Sequence, residues 1–261
     1  MILFRHELKR GRIAWIIWTA AISFMLAVCI FLFPEMMSQT ETINEMFSSM
    51  GSFTAAFGMD KINFGTLIGY FAIECGNVLG MGGAFFAAML GASMLCKEEK
   101  EHTAEFLLAH PVPRTRVVLE KLLAVYAQIA ALNIAVFLVS VGSVAAIGEP
   151  VPWKEVALLF AAYFLLQIEI GSVCFGISAF INRGGAGIGI GVAALAYFWN
   201  IIGNITDAAK FLKYVTPFGY CEGAEIVSSG TLDGVKMLIG TAVSAACVAA
   251  AFIKYSKKDI A

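Results

Sequence analysis

The chain has 261 residues, of which 59% are hydrophobic and 14% charged, with a formal net charge of −1. A soluble domain runs at about 25% charged and cannot coat this much apolar surface, so a soluble globular enzyme is excluded. The balanced charge also excludes a global basic field for nucleic acid. The composition is that of an all-α polytopic membrane protein.

Residues 1–12 have a partly amphipathic helical pattern. Arg5, Lys9 and Arg12 share one face and Met1, Phe4 and Leu8 another, while Ile2, Leu3 and Glu7 interrupt the separation. A spanning helix needs about 20 mostly apolar residues. Six runs qualify, at about 13–33, 67–95, 122–147, 156–181, 185–205 and 235–253. Pro34 closes the first and the Gly148-Glu149-Pro150 turn follows the third. Between the first two, Ile43, Met46, Phe47 and Met50 recur at helical spacing, as in a short helix on the outer membrane surface. Between the last two, residues 206–234 mix Pro217, Phe218 and Tyr220 with charges and are expected to fold back onto the membrane. The reading is one transmembrane domain over 1–261, without a nucleotide-binding domain.

The basic residues set the orientation. With the N-terminus inside, thirteen Lys and Arg face the cytoplasm, from Arg5 to Lys258, and five face outward: Lys61, Lys154, Lys210, Lys213 and Lys236. Both termini are therefore expected in the cytoplasm of a multi-pass protein of the cell membrane.

Catalytic motifs are missing. No G-x-x-x-x-G-K-[ST], H-E-x-x-H or G-x-S-x-G occurs. The six cysteines are scattered singly, with no spacing for zinc or a disulfide scaffold. Glu98-Glu99 lacks the following arginine and the intramembrane histidines of an intramembrane protease. Neither a catalytic site nor a metal site is expected in this chain.

The most informative segment follows the second span. A charged run, Lys97 to Glu101, leads into Thr103-Ala104-Glu105, a helix start. Phe106, Leu107 and Leu108 give that helix an apolar side, and Pro111 and Pro113 end it. Two physical readings fit equally. The element docks in a groove on a partner, or it is a hairpin turn lying on lipid headgroups.

This segment resembles the cytoplasmic loop of ABC-2 type ABC transporter permeases. That family shows an acidic run, a Gly-Thr-x-Glu-x-Leu-Leu element, Pro-Val-x-Arg, and a lysine entering the third span. The chain matches at Thr103, Glu105, Leu107, Leu108, Pro111, Val112, Arg114 and Lys121, and departs at His102, where the family usually has glycine. Glu7-Leu8-Lys9-Arg10 is similar to the family's interfacial elbow, which implies an N-terminal interfacial helix at the inner membrane surface, and Tyr214-Val215-Thr216-Pro217-Phe218 is similar to its Ser-Pro-Phe element.

The resemblance implies a coupling helix at Glu101–Leu108, seated on a separate ABC ATPase subunit. Glu98, Glu99, Glu101, His102, Thr103, Glu105, Leu107, Leu108, Pro111 and Arg114 would serve that contact. ATP and Mg would bind the partner ATPase, with no cofactor on this chain. Two permease chains, as a homodimer or a heterodimer, would enclose one pathway in the bilayer, and export would be the usual direction.

Within the spans, Glu74 and Glu169 are the costly residues, at about 2.5 to 3.5 kcal/mol each near a span centre. Asn77 and Met81 continue the Glu74 face at i+3 and i+7; Gln167 lies on a different side of the fourth span from Glu169. Glu74, Asn77, Gln167 and Glu169 are candidates for a pathway or gate, or else for interhelical hydrogen bonding. An ion- or proton-coupled secondary transporter using Glu74 and Glu169 is the rival reading. In the fifth span, Gly185/Gly189 and Gly187/Gly191 form two overlapping small-xxx-small pairs, read first as tight packing within the chain.

Overall fold

Each long apolar run satisfies its backbone polar groups internally by coiling into a helix, as a bilayer demands. The computed structural model describes residues 2–38, 51–56, 59, 62–63, 65–101 and 112–257. Six of its helices are long and apolar enough to cross a membrane: α1 (Ile2–Ser38), α2 (Leu67–Met94), α3 (Arg114–Ala146), α4 (Trp153–Ser178), α5 (Gly185–Ile205) and α6 (Gly234–Lys257).

The expected interfacial helix and first span are one continuous helix of 37 residues. Gly11 does not break it, because its bare Cα lies against the Gln128 side chain of α3, where a Cβ would come within 2.4 Å of Oε1. Nor does Pro34 end the helix, which runs on to Ser38. A proline costs one backbone bond, which membrane helices tolerate. Helix α3 begins at Arg114, before the apolar stretch, directly after the extended Pro113.

Helix α2 opens with Thr66 as N-cap, its hydroxyl accepting the Gly69 N–H at 3.2 Å. Midway it changes register: Gly76–Met81 form a π-helix before α-helical geometry resumes at Gly82.

Helix α4 is the centre of the bundle and packs against α2, α3 and α6; α1 lies along α3, and α5 along α2. Small residues set these approaches. A Cβ on Gly91 would lie 2.3 Å from the Gly171 carbonyl oxygen, so the α2 and α4 backbones touch. Gly185 and Gly189 meet the carbonyl oxygens of Ala92 and Ala88 in the same way, at 2.3 and 2.4 Å. Gly187 and Gly191 point into open space. The first small-residue pair of α5 is therefore an intrachain contact, and the second lies on its outer side.

Between α5 and α6 the chain returns to the bundle. Short turns at Asp207–Ala209, Leu212–Val215 and Pro217–Tyr220 lead to the helix Gly223–Ser229. Thr216 holds this return twice: its hydroxyl donates to the Ala196 carbonyl of α5 at 2.9 Å and accepts from Phe218 N–H at 3.3 Å. Phe218 packs edge-on to Tyr197, with centroids 5.3 Å apart. Gly223 sits on the Ala72 carbonyl of α2, where a Cβ would come within 2.5 Å.

Candidate coupling and intramembrane sites

The first turns of α1, the end of α2 and the start of α3 meet around a buried lysine. Lys121 is 0% exposed. Its Nζ donates to Glu7 Oε1 at 3.0 Å, to the Met94 carbonyl at 2.9 Å and to Glu98 Oε1. Glu7 also accepts from Lys97. The Met94 oxygen belongs to the last turn of α2, whose carbonyls lack helical partners. Two lysines and two glutamates thus close a four-charge cluster drawn from three segments. Burial, and then the charge of Lys121, hold the Lys97 ammonium below its usual range, against the pull of Glu7.

Further contacts surround this cluster. Glu120 of α3 accepts the backbone N–H of Phe4 at 3.1 Å, supplying an acceptor and a negative charge to the N-terminus of α1. Arg116 pairs with Glu120 at 3.0 Å. Arg114 donates to the carbonyls of Tyr255 and Ser256 at 3.4 and 3.5 Å, in the last turn of α6. Arg10 of α1 pairs with Glu101 at the outer edge. The start of α1, the end of α2, the start of α3 and the end of α6 therefore share one end of the bundle.

Of the sequence-predicted coupling residues, Glu98 points inward to Lys121, Glu101 pairs with α1, Arg114 reaches α6, and Glu99 is half-buried beside them. His102, Thr103, Glu105, Leu107, Leu108 and Pro111 lie outside the described residues. Sequence reasoning missed Lys97 and the hub role of Glu7. The signal was present: Glu7 interrupts the apolar face of the first helix because it faces the buried Lys121 and the half-buried Lys97.

The four intramembrane candidates do not form one site. Glu74 is half-buried and accepts from Cys29 Sγ of α1 at 3.4 Å. Asn77, three residues on, lines a cavity with Tyr163 and Asn200. Glu74 and Asn77 thus meet different neighbours, Glu74 on α1 and Asn77 beside α4 and α5. Gln167 is fully buried and bridges helices: its Oε1 accepts from Asn133 Nδ2 at 2.7 Å and its Nε2 donates to the Leu79 carbonyl in the π-turn at 3.4 Å. Glu169 is 1% exposed and faces α6 instead. Thr241 donates to its Oε1 at 3.1 Å, and Gly240 leaves the space its carboxyl fills, where a Cβ would lie 2.2 Å from Oε2.

Residues 1–260 match the family model described as ABC-2 family transporter protein. The chain belongs to the ABC-2 transporter family. A search of curated proteins gives no match. This ABC-2 protein is thus a multi-pass membrane transport subunit, its six spans built around α4. The charge cluster lies on either side of residues 102–111, the stretch in which the sequence resembles the ABC-2 loop.

Proposed function

We propose that the chain is the permease subunit of an ATP-driven exporter, in which two permease chains enclose one pathway and separate ABC ATPase subunits drive it. ATP and Mg bind the ATPase, and catalysis is its task. The Glu101–Leu108 segment is the coupling helix, and the end of the bundle that carries Glu7, Lys97, Glu98 and Lys121 faces the cytoplasm with both termini. The observation that supports this reading most directly is the buried Lys121 cluster. It fastens the residues flanking the loop to α1, α2 and α3, so a displacement of the loop is passed to three helices at once.

Family membership favours this reading over an ion- or proton-coupled secondary transporter, as does the separation of Glu74, against α1, from Glu169, against α6. The experiment is purification of the complex in mild detergent. The ATPase chain is expected to co-purify with the wild-type permease and to be lost when residues 101–108 are deleted. Retention of the ATPase by a deletion variant that elutes as a folded species would overturn the coupling assignment.

A further inference from the structure

We infer that a partly open pocket on the side of the bundle opposite the charge cluster, between α2, α4, α5 and the returning segment, is a binding site for ordered water. A cavity of about 50 Å³ lies there. Its wall includes Asn77, Tyr163, Asn200, Asn204 and Glu222. Tyr163 is 1% and Asn200 9% exposed. Among the described residues, the Tyr163 hydroxyl and the side-chain oxygens of Asn200 and Asn204 are buried without a hydrogen-bond partner. Each such group costs about 1–3 kcal/mol if left unmet. A dry cavity would leave all three unmet. Empty protein cavities are apolar, whereas a water needs roughly 10–15 Å³ and two to four polar partners. This space has room for water, and its wall supplies the partners. A lipid chain would satisfy none of these groups.

The backbone beside the cavity fits the same reading. The π-helix contributes Gly76 and Asn77 to the wall. Gly76 and Gly80 lack side chains where the Tyr163 ring lies; a Cβ on either would come within 2.9 Å of its hydroxyl or 3.0 Å of Cε1. Tyr163 therefore lies against the π-turn, with its hydroxyl at the cavity.

The test is X-ray hydroxyl-radical footprinting of the full-length chain in lipid nanodiscs, read by mass spectrometry. Radicals form from water where it sits, so a buried side chain beside bound water is labelled and a dry one is spared. Tyr163 is expected to be labelled severalfold faster than Phe86 and Phe175, which are as deeply buried but do not line the cavity. Labelling of Tyr163 no faster than that of Phe86 would overturn the site. Asn200→Leu, and independently Asn204→Leu, each keep the side-chain size but remove a partner for water, and each is expected to slow Tyr163 labelling. Unchanged fast labelling in both variants, with elution profiles like wild type, would overturn the assignment of the site to these groups.

Discussion

At the scale of single residues, burial decides which charges matter. Lys121 shares its ammonium among Glu7, Glu98 and the Met94 carbonyl, with no access to water. Removing one member of such a cluster strands a buried opposite charge, at about 3–5 kcal/mol. Lys121→Ala is expected to lower the detergent melting temperature sharply, and Glu7→Gln combined with Lys121→Met to cost less than the sum of the single changes. Strict additivity would show that the two side chains do not interact. Arg10→Ala is the contrast: its pair with Glu101 is 38% and 42% exposed, so the cost should fall below about 1 kcal/mol. The resemblance to the ABC-2 loop pointed to Lys121 at the entry to the third span and to Glu98, Glu101 and Arg114. It could not pair them. Pairing depends on which turn of α1 reaches α3, and Glu7 in isolation reads only as a flaw in an amphipathic pattern.

At the scale of elements, length and apolarity made the six spans legible, because a bilayer leaves the backbone no other solution. Two features were hidden for physical reasons. The basic residues Arg5, Lys9, Arg10 and Arg12 look like the end of a separate surface helix, yet nothing in that stretch breaks hydrogen bonding, and α1 runs through. The π-turn is invisible to hydropathy, which reports side-chain polarity and not backbone register. Helix–helix approach was partly legible: two small-residue pairs were evident in α5, but not which one faces α2. The geometry separates them. Gly189→Ala would drive a methyl to 2.4 Å from the Ala88 carbonyl oxygen; overpacking of this kind costs about 1–3 kcal/mol. Gly187→Ala meets nothing within 4 Å and gains up to about 1 kcal/mol of helix propensity. Thermal unfolding of the two variants should therefore move in opposite directions, and equal losses would contradict the packing of α5 on α2.

At the scale of the whole molecule, the four helix ends gathered around Lys121, Glu120 and Arg114 define one pole of the bundle, and thirteen of the eighteen basic residues lie on the expected inner segments. Lys154, exposed at the start of α4, and Lys257, exposed at the end of α6, mark opposite poles. A membrane-impermeant maleimide should label Lys154→Cys in intact cells and Lys257→Cys only after permeabilisation; the reverse pattern would invert the topology. The unbroken course of α1 has a consequence for how this molecule could transmit force. Glu7 is held in the charge cluster and Cys29 touches Glu74 of α2, and at 1.5 Å per residue these two contacts are about 33 Å apart on one rod, roughly the thickness of the hydrocarbon core. Between these two contacts the helix is continuous, so the charge cluster at one face of the bilayer and the Cys29–Glu74 contact near the other are carried by a single element.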